Sequence, residues 1–164
     1  MSGTATVSAL GSDVVSLGGT GTAVFGSKNV GTGRAVTVSG YTLSGADASN
    51  YTLVEPTGLT ANITPASLSI TGLSATNKIY DATLTDTLSG TATVSALGSD
   101  SVSLGGTGTA VFATKNVGTG RAVTVSGYTL SGADASNYTL LEPTGLTASI
   151  TSASLTVSGL TANN

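Results

Sequence analysis

Residues 2–77 laid over residues 89–164, an offset of 87, agree at about 65 of the 76 paired positions. The chain is therefore a tandem repeat, and a period this long constrains what it can fold into more than any other feature. Solenoid rungs run to roughly 20–50 residues, so each copy reads as a closed unit rather than as one layer of a stack. Both copies contain SGTATVSALGSD, VSLGGTGTAVF, KNVGTGRAVTVSGYTLSGADASNYTL and EPTGLTA. Residues 78–87, which begin KIYDAT, occur once. Two full periods would take 2 × 87 = 174 residues against the 164 present. The expected organisation is a first copy over residues 1–65 that lacks its opening strands, a complete repeat over 66–152, and the opening strand of a third over 153–164. Met1 sits inside a repeat and reads as an added start on an excised fragment. Pro65, in ITPASLSIT, leaves about three residues between one copy and the next. With φ fixed at Pro65, so short a joint should hold neighbouring repeats in an extended, beads-on-a-string array.

A unit of 87 residues is small for an independent core, and this one has few large side chains to build it from. Aromatic residues are 4% of the chain, with neither Trp nor Cys, so the complete repeat has Tyr80, Phe112, Tyr128 and Tyr138 as its large anchors. Val, Leu, Ile, Ala and dense strand hydrogen bonding must supply the rest. Charged residues are 8%, far below the roughly 25% of an average chain, which leaves a surface of Ser, Thr, Asn and Gly. The net charge is −3, and the basic residues Lys28, Arg34, Lys78, Lys115 and Arg121 are scattered. That distribution speaks against nucleic acid, which requires a basic stripe to neutralise phosphates. No apolar run approaches the ~20 residues of a spanning helix, so membrane insertion is not expected. MSGTATVSALG lacks the basic and apolar regions of a secretion signal.

Strand signals dominate. Glycine is frequent, Thr, Val and Ser abundant, and no 3.6-residue apolar period persists. SLSITGL (67–73) alternates with Leu68 and Ile70 on one face. Residues 102–104, 110–112 and 122–125 are short β-branched runs bounded by GG, TG and VGTG, which read as turns. In RAVTVSGYTLSG, Val123 and Val125 share one parity, Tyr128 and Leu130 the other, so a β-bulge or sharp bend is expected at Gly127. Tyr138 and Leu140, then Leu146, Ala148 and Ile150, read as two closing strands broken at Pro143. Ile79, Leu84 and Leu88 are expected to alternate with Tyr80 in a further strand. About seven strands per repeat suggest a small β-sandwich, with a β-grasp-like sheet as the alternative.

Chemistry is sparse. Without His or Cys, nucleophilic triads and ordinary zinc sites are unavailable. Asp81 and Asp86 are the carboxylates that glycoside hydrolysis would require, but a turn Asp and a solvated strand Asp are the ordinary reading. GGTGTA (105–110) has the glycines of a phosphate cradle, but no Lys follows and no helix opens, so a hairpin turn is the ordinary reading. Asp134, Ser136 and Asn137 in GADASNY have oxygens that could hold calcium, or form an Asx-type turn. Lys115, Asn137 and Asp134 are the residue types of a Lys–Asn isopeptide crosslink. No catalytic, cofactor-binding or metal-binding residue is assigned from these patterns.

KIYDAT, ATKNVGTGRAVTVSGYTLSGADASNYTL and the closing TASITSA together resemble the YDG-type repeat of large bacterial surface proteins, including filamentous-haemagglutinin-like adhesins. The resemblance spans essentially the whole chain and rests on Tyr80-Asp81, on Lys115-Asn116-Val117-Gly118 and on Asn137-Tyr138 in that order. Ala82 departs from the pattern, which usually has Gly there; a left-handed turn would strain it. The resemblance implies an exported stalk or adhesive segment, displayed at the bacterial surface and without catalytic residues. A glycan- or surface-binding module is the alternative, though it would require aromatic platforms beyond Tyr41, Tyr51 and their counterparts. Flat Thr ladders for ice or mineral are too irregular here. Expected partners are neighbouring repeats or identical chains, joined by strand addition of Leu155 and Val157 to the sheet of residues 2–64, and a host or matrix surface.

Overall fold

The computed structural model describes residues 3–162. Its regular structure is all-β apart from two single 3₁₀ turns, Ala48–Asn50 and Ala135–Asn137. The chain divides into two compact units, Met1–Thr64 and Pro65–Asn164.

In the first unit, β1 (Ser16–Phe25), β2 (Gly31–Ser44) and β3 (Thr60–Ile63) form an antiparallel sheet in the order β1-β2-β3. The second unit repeats this sheet and adds to it. Its strands are β4 (Ala66–Ser69), β5 (Thr71–Ala75), β6 (Lys78–Ile79), β7 (Thr85–Asp86), β8 (Leu88–Thr93), β9 (Ser103–Phe112), β10 (Gly118–Ser131), β11 (Tyr138–Leu141) and β12 (Thr147–Thr151). Five of them form a mixed sheet in the order β6-β12-β10-β9-β7, while β4 pairs in parallel with β11 and β5 antiparallel with β8. Nine strands stand where about seven are expected, because the KIYDAT region contributes two of only two residues each.

The core of the second unit is Ala110, Phe112, Val123, Val125, Ala148 and Ile150, drawn from β9, β10 and β12. Ala75 of β5 and Leu88 of β8 pack on it as a second layer, with Tyr80, Tyr128 and Leu146. The alternation read from the sequence places Leu68 and Ile70 correctly, since both are buried. Ile79, Leu84 and Leu88, expected to alternate with Tyr80 in one further strand, do not share a strand, and Ile79 and Leu84 are exposed. They lie on or beside two-residue strands at the sheet's edges, where one side-chain direction has no second layer to meet.

Glycine runs read as turns prove to lie inside strands. GGTGTA falls within β9, which is continuous from Ser103 to Phe112, and VGTG leads directly into β10. The register between β9 and β10 shifts between Ser126 and Tyr128, as the parity slip at Gly127 requires. Gly106 and Gly127 both take positive φ there, and a Cβ on Gly106 would collide with the Gly127 carbonyl. The ring of Tyr128 covers Gly108, in space that a Cβ on that residue would fill. So the glycines permit a close crossing of two long strands, not a reversal.

Of residues 153–164, expected as an opening strand, 153–162 form none and are exposed, and 163–164 lie outside the described residues. Their counterparts in the second unit are β4 and β5, which owe their strand character to β11 and β8.

The two copies differ most where their sequences agree. Phe112 is 1% exposed and its repeat mate Phe25 is 41% exposed. Phe112→Ala is therefore expected to destabilise the second unit by about 3–5 kcal/mol, and Phe25→Ala the first by about 1 kcal/mol or less. Denaturant-dependent amide exchange in β9 and in β1 measures the two costs separately.

Candidate functional site

The residues with the densest polar chemistry lie in KIYDAT, and the geometry there explains why. β6 and β7 occupy opposite edges of the five-stranded sheet, four strand spacings apart in the hydrogen-bonded order. In a flat sheet that would be about 19 Å. Yet Nζ of Lys78, on β6, donates to the Thr85 carbonyl of β7 at 2.7 Å. A lysine side chain cannot span a flat sheet, so this sheet is rolled until its two edges lie within one side chain of each other. Lys78 is the staple across that seam.

The ammonium has further partners. It donates to Oδ1 of Asp81 at 2.9 Å, to the Thr83 carbonyl at 3.0 Å and to Oγ1 of Thr83 at 3.1 Å. It also stands 5.4 Å from the centre of the Phe112 ring, within cation–π range. Oδ1 of Asp81 accepts in addition from the backbone N–H and the hydroxyl of Thr83, each at 2.9 Å, which makes residues 81–83 an Asx turn. Lys78, then the Thr83 donors, hold the Asp81 carboxyl down to about 2, well below its ordinary 3.8. Backbone bonds fasten the segment to its neighbours: Tyr80 N–H to the Thr151 carbonyl, Phe112 N–H to the Leu84 carbonyl, and Ser149 N–H to Oδ1 of Asn77 at 2.7 Å.

Asp81 and Asp86 have separate local partners. Asp81 is kept ionised by its partners and cannot serve as a proton donor near neutral pH. Asp86 accepts from its neighbour's N–H, that of Thr87, at 2.8 Å and from the Thr76 hydroxyl at 3.3 Å. The calcium candidates are likewise engaged in the fold. Oδ2 of Asp134 accepts from Ser101 N–H at 2.9 Å, and Asn137 N–H closes a turn on the Asp134 carbonyl. Among the described residues no cluster of three His, Cys, Asp or Glu side chains could hold a metal ion. The crosslink candidates are set apart: Lys115 is exposed in the β9–β10 loop, while Asp134 is tied to Ser101 beyond the other end of that hairpin. Ten residues of strand, about 33 Å, lie between those ends.

Two sets of residues escaped the sequence reading. Tyr138 donates its hydroxyl to Oδ2 of Asp100 at 2.7 Å and accepts from Leu97 N–H, so GSD and GADASNY are halves of one joint. The Asp100 hydrogen bond and burial raise the Tyr138 hydroxyl above its usual 10. Tyr51, Asp13 and Leu10 repeat the arrangement in the first unit. Glu142, in EPTG, accepts at Oε1 the N–H of Tyr128 freed by the Gly127 bulge, and Glu55 serves Tyr41 in the same way. GSD and EPTG recur in both copies, but so does almost everything around them, so recurrence does not single these residues out. A largely apolar groove of about 600 Å³ in the second unit is lined by Ile70, Leu73, Leu140, Pro143 and Leu146 among others, with no aromatic platform. No helix among the described residues is long and apolar enough to cross a membrane.

Ala82 takes φ 66, the left-handed turn for which glycine is suited. Ala82→Gly is expected to stabilise the second unit by ~0.5–1 kcal/mol, the relief of that conformation less glycine's extra chain entropy; chemical denaturation measures it. Acid provides the second check. Because the Asp81 carboxyl titrates lower folded than unfolded, its stabilisation is complete above about pH 3.8 and fades as pH falls toward 2. Asp81→Asn should lose that component, so wild-type and variant stabilities should converge across this window.

A family model described as the YDG domain matches residues 1–58 and again residues 64–147. No curated protein and no solved structure matches the chain.

Proposed function

The chain belongs to the YDG domain family, and from that premise we propose that it is a structural module of an exported bacterial surface adhesin. In this reading tandem repeats act as a stalk or spacer that carries a binding tip away from the cell, or present a weakly adhesive surface to host or matrix along their length. The observation that carries it is the use made of the polar side chains. Lys78, Asp81, Asp86, Asp100, Asp134 and Glu142 all bond to backbone amides or carbonyls or to hydroxyls of their own unit. Side chains committed in this way are poor acids, bases or nucleophiles, so the proposed role is not enzymatic. A neutral surface of Ser, Thr and Gly suits a module repeated many times outside a cell, because it gives neighbours little charge to attract or repel.

Glycan binding, the alternative, draws less support. Tyr138 is buried with its hydroxyl on Asp100, and the Tyr128 ring lies against Gly108, so neither is a free platform for a sugar face. A glycan array probed with the whole chain should show no selective binder; a strong selective signal would favour the alternative. The leading reading is tested with antibodies against the chain applied to intact cells of the organism that makes it. Surface labelling without lysis is the expected result, and labelling that needs lysis would overturn it.

A further inference from the structure

The second unit joins the start of its chain path to the end of that path in one particular sense. The path enters through β4, β5 and β6, and no residue between these strands lies in a turn or bend. It leaves through β11 and β12. Entry and exit strands meet twice, and both pairings are parallel: β4 with β11, from Tyr138–Ala66 to Leu141–Ser69, and β6 with β12, at Ile150–Lys78 and Thr151–Ile79. Ile70 N–H extends the first ladder to the Leu141 carbonyl at 3.1 Å, and Tyr80 N–H extends the second to the Thr151 carbonyl at 2.8 Å. Side chains reinforce the second ladder. Oδ1 of Asn77 accepts from Ser149 N–H at 2.7 Å, and the Thr151 hydroxyl donates to the Lys78 carbonyl at 3.3 Å. On its other edge β12 is held by β10. Leu68, Ile70, Tyr138 and Ile150, all on or beside these strands, are buried.

We infer that the second unit is a load-bearing element, built to resist tension drawn along the chain. Such tension pulls Ala66 backward along β4 and Thr151 forward along β12. Were the entry and exit strands antiparallel, both pulls would act at the same end of a ladder and part it one hydrogen bond at a time. In parallel pairs the pulled ends lie at opposite ends of the ladder, so the strands separate only by sliding and all the bonds between them resist together. Apolar packing opposes the same motion, because a slide of one residue would turn Leu68, Ile70 and Ile150 from the core face to the other. Resistance of this kind is set by the barrier to unfolding rather than by equilibrium stability. The inference does not rest on the adhesin reading: it follows from the sense of the strand pairs, and its test uses no cells, so either can fail without the other.

The chain has no Cys, so a pair of introduced cysteines fixes where force is applied to the full chain. Thr64→Cys with Ser152→Cys loads the second unit from entry to exit. Ser103→Cys with Ser131→Cys loads the open end of the β9–β10 hairpin, where these two residues are paired and tension parts the ladder bond by bond. All four positions are exposed, and both pairs are expected to leave the melting curve unchanged. With handles attached under reducing conditions and single molecules pulled at constant speed, the entry-to-exit geometry should break at the higher force and in one step. Asn77→Ala distinguishes the clamp from stability in general. Loss of its bond to Ser149 should shorten the lifetime under constant entry-to-exit load about fivefold and leave the lifetime in the hairpin geometry unchanged. A rupture force from entry to exit no greater than that of the hairpin geometry would overturn the inference, as would an Asn77→Ala effect of equal size in both geometries or none in either.

Discussion

The bond from Lys78 to the Thr85 carbonyl joins the two edges of the five-stranded sheet, and the second unit depends on that closure. A rolled sheet encloses its concave face, so Phe112 and Ile150, the largest fully buried side chains, can be sealed by very few additional residues. A core with so few aromatics could not fill the space between two flat layers. The strap from β6 to β7 therefore serves two purposes at once. It covers both hydrogen-bonding edges, which would otherwise invite foreign strands, and it brings Tyr80 and the Lys78 stem onto the core. An ammonium held largely out of solvent is tolerable only when its donors are satisfied, and the Asp81 carboxylate with the carbonyls of Thr83 and Thr85 does this.

The repeat supplies its own control for this account. β1, β2 and β3 have the same sequence pattern as β9, β10 and β12, and the β1–β2 ladder has the same bulge. Without residues equivalent to 66–87 packed on them, Val38 is the one hydrophobic residue of the first unit that is fully buried among those described. Burial here is a property of what covers a strand, since the strand's own residues are nearly unchanged.

The all-β class was legible because glycine and β-branched residues exclude long helices and because alternation survives in Leu68/Ile70 and Val123/Val125. The bulge at Gly127 was legible for the same reason, since a parity slip between two apolar pairs has few other solutions. Glycine pairs misled at GGTGTA because the residue that permits a reversal also permits two strands to cross closely, and sequence spacing does not distinguish these. Ile79 and Leu84 misled because a two-residue edge strand lacks the second layer that gives alternation its meaning. The Tyr138–Asp100 and Tyr128–Glu142 bonds were out of reach: their partners are 38 and 14 residues apart, and nothing in a single sequence pairs them. Lys78 was noted only as one of five scattered cations, because its role exists only once the sheet is rolled.

Hydroxyls take over on the outside the work that charges perform in most domains. Across the β5–β8 ribbon, Thr71 faces Thr93 at 3.2 Å and Ser74 faces Ser89 at 2.7 Å. On the β9–β10 pair, Thr109 donates to the Ser126 carbonyl and stands 3.3 Å from its hydroxyl; Thr22 donates likewise to the Ser39 carbonyl in the first unit, with the hydroxyls 3.5 Å apart. Such cross-strand pairs contribute a few tenths of a kcal/mol each, up to about 1, without the desolvation and screening that attend ion pairs. They also set register, because a one-residue slip would turn each hydroxyl toward the core. The few charges the chain retains are thereby freed for places where a neutral group would not suffice: an Asx turn at Asp81, a bulge amide at Tyr128 and a seam at Lys78. A low charge content is in this sense a consequence of the fold's construction, since Lys78, Asp81 and Glu142 each answer a backbone group that the strand ladders leave open.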